Sequence, residues 1–81
     1  MIKIIINVDP NPNILDPQGK TVHHALHNLG FDPIETVRIG KHIVMMVQSD
    51  DKEEAIKIAK ECCEKLLYNP LIETYTVEAI L

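Results

Sequence analysis

Tryptophan is absent from these 81 residues, and the other aromatics amount to Phe31, Tyr68 and Tyr75. Branched aliphatics must therefore fill whatever interior the chain builds. The same scarcity argues against an RNA-reading sheet, which stacks bases on aromatics of its central strands, because the strand-like residues 2–8 and 42–48 carry none. Cysteine is confined to the adjacent pair Cys62-Cys63. Neighbours cannot close a long loop, and the pair lacks the two intervening residues of a CxxC motif, so free thiols in a reducing, cytoplasmic compartment are expected. Cations are few: 8 Lys and Arg against 12 Asp and Glu leave a formal charge of −4, which opposes nonspecific binding to phosphate backbones. The longest purely apolar run, residues 43–47, is far shorter than the about 20 residues of a spanning helix. No basic segment with an apolar stretch and a small-residue cleavage site opens the chain. The only glycines, Gly19, Gly30 and Gly40, make neither GxGxxG nor GxxxxGK[ST], so no nucleotide is expected on this chain.

What is present is an ordinary globular composition, 46% hydrophobic and 25% charged, in a length that allows one domain, residues 1–81. In residues 2–8, Ile2, Ile4, Ile6 and Val8 alternate with Lys3, Ile5 and Asn7, the period of a strand with one buried face. Residues 9–13, with two prolines among Asx residues, form a loop. Asp16 sits where an N-cap belongs and Pro17 at the first helical position; Val22, Ala25, Leu26 and Leu29 then form one apolar stripe, and Gly30 is placed to take a left-handed C-terminal conformation. A helix over 17–29 follows. Residues 34–39 and 42–48 are β-rich and separated by Gly40-Lys41, which predicts a hairpin with a type II′ turn. Ser49 or Asp50 offers the next cap, Asp50 having capping-box spacing to Glu53, before a second helix carrying Ala55, Ile56, Ala59, Cys62, Cys63, Leu66 and Leu67 and stopped by Asn69-Pro70. Residues 71–81 alternate again. The order βαββαβ predicts an α+β, two-layer ferredoxin-like sandwich: an antiparallel four-stranded sheet with two helices on one face. Ile5, Val44, Met46 and Ile80 fall on the uncovered face, and an open apolar patch of that kind predicts a homo-oligomer pairing through its sheets.

No catalytic constellation stands out. His23 and His27 are four apart on one helix, but no HExxH glutamate lies between them and His42 is elsewhere, so no metal is expected. No base can be placed beside Cys62 or Cys63, and capping accounts for Asp16 and the acidic start of the second helix. Arg38 and Lys41 flank the expected turn in a chain poor in cations. Carboxylate recognition on a partner and plain turn chemistry with solubilising charge stand side by side as their explanations.

The segments Leu15-Asp16-Pro17-Gln18-Gly19, Val37-Arg38-Ile39-Gly40-Lys41 and Glu64-Lys65-Leu66-Leu67-Tyr68-Asn69-Pro70, with Leu29-Gly30-Phe31 between and Ile72-Glu73-Thr74-Tyr75 after, resemble in order and spacing the PurS family. The resemblance implies the small subunit of phosphoribosylformylglycinamidine synthase, which makes the amidine from formylglycinamide ribonucleotide. It further implies a homodimer or tetramer with no catalytic residues and no cofactor of its own, ATP, Mg and glutamine being used by the complex. Such a subunit bridges a PurQ-like glutaminase and a PurL-like synthetase and helps ammonia pass between them. Asp16, Gln18, Arg38 and Lys41 match the family pattern and are expected on the partner-facing surface. Residues 9–13 depart from the pattern in lacking a basic residue. The alternative is an ACT-like small-molecule-binding regulatory module, also βαββαβ, although such modules usually carry a glycine where this chain has prolines.

Overall fold

The computed structural model describes residues 1–80. The chain runs β1 (Ile2–Pro10), α1 (Pro17–Asn28), β2 (Lys41–Val47), α2 (Lys52–Cys62), a π-helical turn (Cys63–Leu67) and β3 (Glu73–Ile80). The sheet has three strands in the order β2-β1-β3, antiparallel on both sides of β1. The expected alternation holds in β1, where Ile2, Ile4, Ile6 and Val8 are buried while Lys3 and Asp9 are exposed. Ile4 lies between Met45 and Ala79, and Ile6 between Ile43 and Val77, so these two central aliphatics are flanked on both sides by side chains of the core. Burying one such aliphatic is worth about 1.5–3 kcal/mol, which makes β1 the main source of stability. Above it sits α2, whose buried side chains are Ala55 and Ala59, continued by Cys63 of the π-helical turn, all small enough for the helix to lie close to the strands.

The four-stranded sheet is corrected to three strands. Residues 35–40 belong to no strand, and β2 begins only at Lys41, opposite Val8 of β1. Two interactions take this segment out of a hairpin. Asp16 accepts the Ile39 N–H, at 2.7 Å, and Gly40 lies so close to β1 that a Cβ there would come within 2.5 Å of the Val8 carbonyl oxygen. Nor is Gly40 the corner of a type II′ turn, which needs positive φ; among the described residues only Gly30 has one, at 97°. The placement of both helices on the sheet is likewise corrected. α2 packs on the strands, whereas α1 makes only marginal contact with any other element. The molecule is accordingly long and thin, 49 × 26 × 14 Å.

The caps follow the sequence more closely. Asp16 caps α1 by accepting the Gly19 N–H, with Pro17 at the first position. The cap of α2 moves one residue from the expectation, to Asp51, which accepts the Glu53 N–H, while Ser49 Oγ accepts the Asp51 N–H. The last expected strand begins at Glu73 rather than Leu71, and its outermost position, Leu81, lies outside the described residues.

Candidate functional site

The family-like segments 15–19 and 37–41 meet at the N-terminus of α1, where Asp16 is the centre of the junction. One carboxylate oxygen accepts the Gly19 N–H at 3.1 Å and the other accepts the Ile39 N–H at 2.7 Å. The Ile39 bond, with the Gly19 bond and the nearby Arg38 charge, holds the carboxyl below its ordinary value of 3.8 against the opposing effect of burial. Asp16 is thus an ionised and fully used acceptor. Gly19 is required by the same junction, since a Cβ there would run into the Val37 carbonyl oxygen and the Asp16 carboxylate.

Arg38 closes the other side. Its guanidinium donates to the Asn11 and Ile14 carbonyl oxygens, the latter at 3.1 Å, and so ties segment 37–39 to the loop after β1. A shallow cavity of about 310 Å³ opens beside it, lined by Leu15, Asp16, Lys20, His23, Glu35, Thr36, Val37 and Arg38. A second, larger depression of about 580 Å³ lies between α1 and Ile39, lined by Pro17, Gln18, Thr21, Val22 and Ile39. Gln18 is exposed on its rim, the one polar residue of segment 15–19 whose side chain makes no hydrogen bond in the junction.

Of the four residues expected to face partners, Asp16, Gln18 and Arg38 are therefore brought together. Lys41 points elsewhere, toward the end of the sheet, where its ammonium lies 3.7 Å from Glu73 and 3.4 Å from the Leu67 carbonyl oxygen. The expected sheet-face set is contiguous: Ile5 is opposite Val44, and Lys3 lies between Met46 and Ile80. Val44, Met46 and Ile80 are exposed and Ile5 half-buried.

Two clusters take roles that the sequence reading did not reach. His23 and His27 each place Nε2 2.8 Å from the same Ile34 carbonyl oxygen, their rings 4.4 Å apart. A carbonyl only accepts, so both imidazoles donate through Nε2 and clip the segment after α1 back onto the helix. Beside the π-helical turn, Tyr68 and Tyr75 meet edge to face at 4.6 Å, next to Glu64. Burial, then the Glu64 carboxylate, pushes the Tyr75 phenol up to about 12 and the Tyr68 phenol in the same direction. Burial also pushes the Cys63 thiol up, the wrong direction for a nucleophile. The spacing of the histidines was visible, but a shared carbonyl acceptor seven and eleven residues downstream was not.

A family model described as PurS, phosphoribosylformylglycinamidine (FGAM) synthase, matches residues 3–80. The phosphoribosylformylglycinamidine synthase subunit PurS of Bacillus subtilis is 40% identical over 78 residues, covering 96% of this chain and 92% of that protein. Among solved structures, PurS of Methanocaldococcus jannaschii, one of the subunits of formylglycinamide ribonucleotide amidotransferase, superposes with a TM-score of 0.89 at 30% identity, covering 99% of this chain and 96% of that one. A chain of the PurLQS structure from Thermotoga maritima gives 0.88 at 37% identity, covering 98% and 96%.

Proposed function

The chain belongs to the PurS family, and from that premise we propose that it is an adaptor that performs no bond-making itself. It is the PurS subunit of FGAM synthase in purine biosynthesis. In this reading it holds a PurL-like synthetase and a PurQ-like glutaminase together, as the name of the Thermotoga maritima PurLQS structure suggests for its own chains, and supports passage of ammonia from one to the other. ATP, Mg and glutamine are handled by those partners, and the work is done in the cytoplasm.

The observation that carries the reading is that the family-like segments are spent on architecture. Asp16 has both carboxylate oxygens engaged, Arg38 donates to two backbone carbonyls, and Gly19 and Gly40 allow close approach of backbone. A carboxylate already holding two N–H donors and depressed below its ordinary value is a poor general base. The junction instead fixes the exposed surface of Leu15, Gln18 and Ile39 on a rigid frame, as an interface residue set needs. The ACT-like module is not favoured, since the family match spans nearly the whole chain.

Reconstitution tests this. The chain is combined with the synthetase and glutaminase from its own source, and glutamine-dependent amidine formation is followed beside the ammonia-dependent reaction. Omitting the chain should abolish the glutamine-dependent reaction and spare the ammonia-dependent one. Turnover by the isolated chain, or full glutamine-dependent synthesis without it, would sink the proposal.

A further inference from the structure

His23 and His27 stand one turn apart on α1, and the chain leaving the helix comes back to meet them. Gly30, with its φ of 97°, starts the return. The Phe31 N–H then donates to the Leu26 carbonyl oxygen at 3.0 Å and the Ile34 N–H to that of Phe31 at 3.3 Å, while Pro33 stiffens the turn between them. The Ile34 carbonyl oxygen thus arrives 2.8 Å from Nε2 of each ring, with the two rings tilted by 59° to one another. Two imidazole nitrogens and one carbonyl oxygen converge on a point. One donor is enough to satisfy a carbonyl, and the His27 ring is exposed, where water could serve its N–H. Hydrogen bonding alone does not call for both rings.

The separations carry a geometric signature. With metal–ligand bonds of about 2.0–2.1 Å, atoms 2.8 Å apart subtend about 86° at a shared metal ion. That is close to the right angle between neighbouring ligands in the tetragonal geometry of Ni²⁺ and Cu²⁺ with nitrogen and oxygen donors. A tetrahedral ion with the same bond lengths needs a separation of about 3.3 Å. Each Nε2 offers its lone pair once the ring hydrogen resides on Nδ1, an exchange of tautomers that leaves the charge unchanged.

We propose that His23 Nε2, His27 Nε2 and the Ile34 carbonyl oxygen form a binding site for a divalent late transition-metal cation of tetragonal preference, Ni²⁺ or Cu²⁺. Among the described residues no three His, Cys, Asp or Glu are placed to hold a metal, so the backbone oxygen is the third donor and water completes the coordination. The cation replaces two hydrogen bonds by three coordinate bonds and locks α1 to the segment that leads on to Arg38. The motif was incomplete in the sequence because a backbone oxygen leaves no mark there. The site goes beyond the adaptor reading and is read out by binding rather than synthesis, so either can fail alone.

Ni²⁺ is the probe, since Cu²⁺ can oxidise the Cys62 thiol. Calorimetry on the full chain, carrying no affinity tag, should show saturable binding of one Ni²⁺ per chain. The melting temperature should rise with Ni²⁺ concentration and not with Mg²⁺, which prefers oxygen ligands. His23→Gln and His27→Gln each keep an N–H for the Ile34 carbonyl but lose the coordinating nitrogen. Each should retain the parental far-ultraviolet dichroism and lose the Ni²⁺-dependent rise, whereas His24→Gln, His42→Gln and Cys62→Ser should keep it. His27 is exposed, so its replacement decides the matter even where His23→Gln fails to fold. Absence of saturable Ni²⁺ binding overturns the proposal. So does a folded His27→Gln chain that binds as the parent does, a rise lost only with His24, His42 or Cys62, or tighter binding of Zn²⁺ than of Ni²⁺.

Discussion

The Asp16 carboxylate accepts the backbone N–H of Ile39, 23 positions along the chain, at 2.7 Å, and with the same group caps its own helix through Gly19. One side chain thereby joins the loop after β1, the start of α1 and the approach to β2.

Replacing that group by an amide, Asp16→Asn, puts an NH₂ opposite one of two N–H donors. Because Asp16 is held below its ordinary 3.8 in the folded state, its contribution is present above that pH and is lost as pH falls through the depressed value. Asp16→Asn should therefore be less stable than the parent near neutrality, and the gap should narrow as pH drops below about 4. Urea titrations across that range check the sign; a pH-independent gap would contradict it.

Gly19→Ala forces a methyl group into the Val37 carbonyl and the Asp16 carboxylate, and overpacking of this sort costs about 1–3 kcal/mol. Gly30→Ala meets nothing within 4 Å but keeps a φ of 97°, so its cost of about 1 kcal/mol comes from backbone strain alone. Urea midpoints of the two variants should fall in that order.

Ile6→Ala opens a void at a fully buried site and should cost about 2–5 kcal/mol. Ile5→Ala, next to it but on the open face of the sheet and half-buried, should cost clearly less. Equal midpoints for the two would mean that the buried face of β1 is misassigned.

The Tyr75 phenol, pushed up to about 12 by burial and Glu64, favours the folded state only while it stays protonated. Its contribution is present below the unfolded value of about 10 and is lost as pH rises from there toward 12. Tyr75→Phe should flatten the alkaline limb of the stability profile. An unchanged limb measured by thermal unfolding between those values would refute the assignment.

Gln18 and Arg38 separate surface from scaffold. Gln18→Ala should leave the melting temperature where it is and lower glutamine-dependent synthesis by the reconstituted complex. Arg38→Ala should lower both, since it releases the Asn11 and Ile14 carbonyls, and Arg38→Lys should rescue little because an ammonium lacks the planar fork.

Features set by neighbours in the chain could be read without a structure. The Asp16 cap, Pro17 at the helix start, the left-handed Gly30 and the alternation of β1 depend on local chemistry, and each is where the sequence puts it. Residues 34–39 show where that reasoning stops. Their β-branched side chains report a liking for extended backbone but say nothing of which strand would pair with them; the Ile39 N–H went to a side chain and the hairpin was lost. The cap of α2 moved because Ser49, Asp50 and Asp51 are three acceptors in a row, and only the backbone path chooses among them. Of the site, Asp16, Gln18 and Arg38 were legible as a group through their segments. Their internal bonding was not, because it depends on long-range approach of two loops.

β1 lies between its two neighbours in space but precedes both along the chain, and its partners begin only at Lys41 and Glu73. No ladder of this sheet joins residues close in sequence. Domains dominated by such distant pairings fold slowly for their size, and during synthesis the aliphatic row from Ile2 to Val8 leaves the ribosome long before anything exists to cover it. A newborn chain therefore spends its most aggregation-prone interval with its most adhesive segment already out.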